Sequence, residues 1–97
     1  MAGKKLIWSA RAKHNLNDIV QLYRAHNESV EYSYWLLQDF RRATERVEKN
    51  ELRGQRFEDA DLRFVVVLRN YQMVYRIGKE QNSIVAVWDA RRNPNEL

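Results

Sequence analysis

The hydrophobic pattern changes period once along the chain, and that switch constrains the fold more than any other feature. From Ala10 to about residue 50, apolar residues recur every three or four positions, as on one face of a helix. From 62 to 89 they recur every second position, as on one face of a strand. Only three glycines and one proline punctuate the 97 residues, so both periods run through long elements joined by short loops. Helices gathered in the first half and strands in the second argue for an α+β fold, with the helices on one face of an antiparallel sheet. A chain of this length carries one modest core, which predicts a single domain over residues 1–97.

Residues 5–8, Lys-Leu-Ile-Trp, are apolar and β-prone and predict a first strand. Ser9 is placed to cap the helix that follows, because its hydroxyl can accept from an N–H left unpaired in the first turn. Ala12, Leu16, Ile19, Leu22 or Tyr23, and Ala25 or His26 mark that helix's apolar face. Residues 27–29 interrupt the pattern, and Ser29 can cap a second helix over about 30–50. Its inner face is Trp35 or Leu36, Phe40, Ala43 and Val47. Its outward residues Arg41, Arg42, Glu45, Glu48 and Lys49 predict a solvated face with local ion pairs. Periodicity lapses over 51–61, around Gly54, which predicts a loop. Strands are predicted at 62–68, 71–78 and 83–89, with Arg69-Asn70 as the first turn because Asn tolerates a left-handed backbone. The expected architecture is a helix hairpin on a twisted antiparallel sheet of about four strands, in the order β-α-α-β-β-β, with the first strand beside one of the last three.

Alternation predicts which strand residues meet the helices. One row is Leu62, Phe64, Val66 and Leu68, a second is Tyr71, Met73, Tyr75 and Ile77, and a third is Ile84, Ala86 and Trp88. The opposite face then carries Arg63, Val65, Val67, Gln72, Val74, Arg76, Val85, Val87, Asp89 and Arg91. A one-residue slip would invert any of these assignments. This second face is apolar in the middle and cationic at its ends, which suits a peptide or nucleic-acid partner; a helix or the C-terminal tail lying over it is the alternative.

The absence of cysteine excludes disulfides and thiolate metal sites and fits a reducing cytosol. No apolar run approaches the roughly 18–20 residues that span a bilayer, and the basic N-terminus lacks the apolar stretch of a signal peptide. A cytoplasmic protein with no membrane association is expected. His14 and His26 lie twelve apart without a cysteine or acidic cluster beside them, so no metal and no cofactor are expected. Tyr23, Tyr32, Tyr34 and Trp35 fall at helical spacing and predict packing rather than base stacking. The net charge of +4 favours a polyanionic partner, which an RNA or an acidic protein would supply equally well; solubility alone is the other explanation.

The stretch from Gly54 through Leu62-Arg63, then Asn70-Tyr71-Gln72-Met73-Val74-Tyr75-Arg76-Ile77, then Ile84-Val85-Ala86-Val87-Trp88-Asp89-Ala90-Arg91-Arg92-Asn93-Pro94, resembles the C-terminal half of RelE/ParE toxins. Trp8-Ser9-Ala10-Arg11-Ala12 ahead of Leu16, Ile19 and Tyr23 resembles their first strand and helix. The resemblance covers nearly the whole chain and rests on patterned hydrophobics with a few polar positions. It implies the toxin component of a type II toxin–antitoxin system, of the plasmid-stabilisation kind, neutralised by a cognate antitoxin that wraps its surface. Such toxins divide mainly into RelE-like ribosome-dependent mRNA endoribonucleases and ParE-like poisons of DNA gyrase.

A metal-independent ribonuclease needs a group to activate the ribose 2′-hydroxyl and cations to offset charge developing on phosphorus. The resemblance implies Arg63, Arg76 and Arg91 for the cationic role. Val65 and Gln72 depart from that branch, which usually carries an arginine where Gln72 stands, and residues 90–97 offer no Tyr or His. Gln72 cannot offset phosphate charge, and loss of one preorganised donor can cost about 100–1,000-fold in rate. Gyrase poisoning is therefore the expected mode, with Arg63, Gln72, Arg76, Asp89, Arg91 and Arg92 as residues for target or antitoxin binding. The ribonuclease on ribosome-bound mRNA is the alternative, and an inactive relative serving only as an interaction or regulatory partner is a third.

Overall fold

A computed structural model of the chain describes residues 4–27, 30–57 and 61–90. Strand β1 (Leu6–Trp8) leads into helices α1 (Ala10–Asn27) and α2 (Val30–Lys49). Strands β2 (Gln55–Arg56), β3 (Arg63–Val67), β4 (Tyr71–Arg76) and β5 (Asn82–Asp89) follow. They form a five-stranded sheet in the order β1-β5-β4-β3-β2, and both helices pack against it. The α+β architecture with a helix hairpin is as expected from the sequence. Two details differ. β1 runs parallel to β5 where an antiparallel neighbour was expected, because two helices and three strands, rather than a tight turn, separate them. β2 lies within the segment expected to be loop; two residues are too few to show a period.

Ser9 caps α1 as expected: its Oγ accepts from the Ala12 N–H at 3.1 Å. Ser29 lies outside the described residues. On α2, Leu36, Phe40, Ala43 and Val47 are buried, while Trp35 is 58% exposed, so Leu36 and not Trp35 is the inward residue. On α1, Ala12 is buried, and Leu16, Ile19 and Val20 pack at the margin of the core. Leu22 points outward, and the side chains of Tyr23, Ala25 and His26 lie outside the described residues. Tyr71, Met73, Tyr75, Val67, Ile84 and Val87 complete the core from the sheet. Among the described residues, no helix is long and apolar enough to cross a membrane.

The phase of β3 is the reverse of the expected one. Cross-strand partners share a face, and β3 pairs Arg63 with Tyr75, Val65 with Met73 and Val67 with Tyr71. Val67 is accordingly 4% exposed and Val66 59% exposed. Leu62, Phe64, Val66 and Leu68 are therefore not the helix-facing row. The cause is the turn. Its three residues, 68–70, place Val67 opposite Tyr71, where a two-residue turn would have placed Leu68 there. One extra residue carries every β3 side chain to the other face, and the run Phe-Val-Val-Val is too uniformly apolar to oppose the change. β5 departs for a different reason. Its register with β4 jumps from Val74–Ala86 to Tyr75–Ile84, leaving Val85 as the extra residue of a bulge. Ile84 faces inward as expected, but beyond the bulge Val87 and Asp89 face inward, and Ala86 and Trp88 face outward.

The left-handed positions of the turn are Leu68 (φ 54°) and Arg69 (φ 67°), not Asn70. Asn70 instead accepts from the Ala90 N–H through its carbonyl at 2.6 Å. Arg69 is exposed, so Arg69→Gly removes the steric cost of a Cβ in this region without losing packing. The substitution is expected to stabilise the fold by about 0.5–1 kcal/mol in thermal or denaturant unfolding, after glycine's greater unfolded-state entropy is deducted.

Candidate functional site

The same turn and bulge distribute the expected site residues over two faces. Arg63 and Asp89 lie on the helix side, opposite Tyr75 and Tyr71. Gln72 lies on the outer face between Val66 and Trp88, and Arg76, exposed, lies on that face opposite Ser83. The expectation that one face carries Arg63, Gln72, Arg76 and Asp89 together is corrected accordingly. Arg91 and Arg92 lie outside the described residues. The outer face has an apolar centre of Phe64, Val66, Val74, Ala86 and Trp88, of which Val66 is exposed, Val74 is buried and the others are half-buried. Arg76 is its cation among the described residues of β3, β4 and β5.

Arg63 has a structural engagement. Its Nη1 donates to the Gly54 carbonyl at 2.9 Å and to the Leu52 carbonyl at 3.4 Å, tying β3 to the segment that leaves α2. Around it lies a polar network that the sequence did not reveal. The Tyr75 hydroxyl accepts from the Gly54 N–H at 2.9 Å and donates to the Glu51 carbonyl at 2.6 Å. The Glu51 carboxylate accepts from Asn82 Nδ2 at 3.2 Å and pairs with Lys4 Nζ at 3.1 Å. Asn82 Oδ1 accepts from the Gly78 N–H at 3.0 Å, and Lys4 also donates to the Gly78 carbonyl at 2.6 Å. The end of α2 is thereby joined to the β4–β5 connection and to the entry of β1.

Hydrogen bonds from Asn82 and Lys4 hold the Glu51 carboxyl below the usual glutamate range, and burial pushes the Tyr75 phenol above its usual range. Because the folded Glu51 value is depressed, its contribution is fully present above the ordinary glutamate range and is lost as pH falls through the folded value. Glu51→Gln should therefore be less stable than the parent near neutrality, with the gap closing on acidification. Unfolding midpoints measured from neutral to acid pH check this; a gap independent of pH would remove the carboxylate's charge from the explanation.

Among the described residues no group of three or more His, Asp or Glu is placed to hold a metal ion. His14 forms an exposed pair with Asp18 at 3.4 Å on α1. Two surfaces suit a macromolecular partner. One is an apolar hollow of about 410 Å³ between the helices, lined by Trp8, Leu16, Val20 and Leu37. The other is the seam between α2 and β3, where Arg42, Arg46 and Arg53 stand beside Val65 and Val66. Of these arginines, Arg42 was read from the sequence as part of a solvated helix face, and Arg46 and Arg53 were not singled out. The available signal was Arg42 and Arg46 one helical turn apart, a spacing at which like charges repel.

Comparison with known proteins agrees with this architecture. A search of curated proteins finds no match. A solved structure described as "Chromosomal ParDE TA system from P. aeruginosa" superposes with a TM-score of 0.77 at 17% identity, covering 89% of this chain and 95% of that one. That likeness establishes the fold. Residues 6–94 match the family described as "ParE toxin of type II toxin-antitoxin system, parDE". With nearly the whole chain matched, the protein belongs to the ParE toxin family of type II toxin–antitoxin systems.

Proposed function

We propose that this toxin arrests bacterial growth by binding and poisoning DNA gyrase, and that a cognate antitoxin neutralises it. The observation that carries the choice of target is the placement of Arg63. Its guanidinium is held by the Gly54 carbonyl on the helix side of the sheet, while Gln72 and Arg76 lie on the outer face. A ribonuclease site gathers its cations around one phosphate; the described residues spread them over two faces and leave an apolar centre between. An apolar surface with polar margins suits a protein target better than an RNA backbone. Arg76 and Gln72 on the outer face are the target contacts in this reading, together with Arg91 and Arg92, while Arg63 acts through the fold and Asp89 lies on the helix side.

Induced expression in bacterial cells tests the proposal. Growth should stop with chromosome breakage and a DNA-damage response, while messenger RNA in translating ribosomes stays intact. Messenger cleavage without DNA breaks would favour the ribonuclease, and normal growth would favour an inactive relative.

A further inference from the structure

One stripe of α2 joins an exposed aromatic side chain to the arginines of the seam. Trp35, Asp39, Arg42 and Arg46 stand at i, i+4, i+7 and i+11, so their side chains follow one line of the helix. Asp39, Arg42 and Arg46 line a hollow of about 210 Å³ against the end of β3. Arg46 also lines an adjoining hollow of about 290 Å³, where Arg53 stands beyond the end of the helix. At the other end of the stripe, Trp35 is 58% exposed, although its helical spacing predicts packing. The exposed Tyr34 ring lies roughly perpendicular to it, 5.3 Å away between centroids. That edge contact steadies the indole and leaves it accessible.

The charges of the stripe are unequally matched. Arg42 reaches Asp39 at 3.4 Å and is partly neutralised. Arg46 and Arg53 have no ion-pair partner among the described residues. Arg42 and Arg46, one helical turn apart, repel each other, and an anion bound between them relieves that repulsion.

We propose that this stripe binds a single strand of DNA, with Arg42, Arg46 and Arg53 on its phosphates and an unpaired base stacked on Trp35. A guanidinium presents a planar fork of donors that matches a phosphate. A cationic track with an aromatic platform holds single strands with little regard to sequence, because every base has a π-face. Trp35 and Arg46 are eleven residues apart, about 16 Å along the helix, which spans a few nucleotides. In a duplex the bases stack on one another and leave none for Trp35. An acidic protein segment would satisfy the arginines but offers the indole no flat partner. That the strand is DNA rests on the function proposed above, since a gyrase caught in mid-cleavage holds broken DNA beside its poison.

Fluorescence anisotropy of a labelled dodecathymidylate, titrated with the full chain over a range of salt concentrations, tests this. Each phosphate contact contributes about −0.7 to the slope of log affinity against log salt, so three arginines should give about −2. Arg46→Ala with Arg53→Ala should bring the slope near −0.7 and weaken binding at least about tenfold. Trp35→Ala should weaken binding at least about fivefold and leave the slope unchanged, since stacking releases no counterions. Arg41→Ala with Lys49→Ala removes the same charge from the outward face of α2 and should change neither quantity. All five side chains are exposed, so these variants should unfold at the parental midpoint. Absence of salt-dependent binding at millimolar protein overturns the proposal. So does a control pair that weakens binding as much as the seam pair, which would mean diffuse charge attraction. A dodecauridylate bound more tightly than the thymidylate would overturn DNA as the strand. A dodecaglutamate that displaces the label as well as unlabelled thymidylate does would mark a surface for acidic protein instead. The assay contains no gyrase, so its failure leaves gyrase poisoning standing, and a failed gyrase assay leaves the measured strand binding standing.

Discussion

Phe40→Ala is expected to cost about 3–5 kcal/mol of folding stability, the range for truncating a fully buried aromatic side chain. Phe40 is 1% exposed and lies where helix and sheet meet, with its ring 6.3 Å from that of Trp8 and 6.1 Å from that of Tyr71. Truncation forfeits its transfer from water and leaves a hollow under α2 that the hydrogen-bonded strands beneath cannot close. Domains of this size hold a total of only about 5–15 kcal/mol, so the variant should sit near its unfolding threshold. At about 4–8 °C per kcal/mol, the midpoint should fall on the order of 20 °C. Phe40→Leu, which keeps most of the volume, should recover much of the loss. Equal midpoints for Phe40→Ala and the parent would mean that the two layers do not meet at this residue.

Gly54→Ala is expected to be strongly destabilising although it adds only a single methyl group. A Cβ at Gly54 would lie 2.5 Å from the Tyr75 hydroxyl, 2.7 Å from its Cε1 and 2.9 Å from the Phe64 carbonyl oxygen, closer than real contacts allow. Tyr75 is fully buried and cannot swing away, and the Phe64 carbonyl belongs to the sheet. Overpacking of this kind costs about 1–3 kcal/mol. Displacing Tyr75 also strains its bonds to the Gly54 N–H and the Glu51 carbonyl, and losing buried partners costs about 1–3 kcal/mol more. Tyr75→Phe removes the hydroxyl and should cost about 1–3 kcal/mol by leaving those two groups unpaired. The double variant should lose less than the sum of the singles, because both act on one contact. Strict additivity in denaturant unfolding would show that the hydroxyl is not what Gly54 accommodates.

Much of the fold was legible because local and tertiary signals agree. Ser9 caps the helix it precedes in the sequence, and Leu36, Phe40, Ala43 and Val47 are spaced as a helix buries them. β4 alternates Tyr71, Met73 and Tyr75 with Gln72 and Arg76, so its buried row could be assigned before pairing was known. β3 carries no such alternation, and its phase was set by one turn residue. The bulge at Val85 is likewise a property of two strands together, and neither strand's sequence displays it. The candidate site inherited both errors, since Arg63 and Asp89 were assigned through the strands that shifted. Contacts distant in sequence, such as Lys4 with Glu51 and Asn82 with Glu51, have no periodic signature at all.

The most direct test of the central claim is incubation of the purified protein with DNA gyrase, ATP and supercoiled plasmid, followed by denaturation of the enzyme and measurement of cleaved DNA. A toxin that poisons gyrase should accumulate linear plasmid in proportion to its concentration, and Arg76→Ala should reduce that yield while unfolding at the parental midpoint. Plasmid relaxed and supercoiled as in the toxin-free control, with folded protein in excess over gyrase, would contradict gyrase as the target.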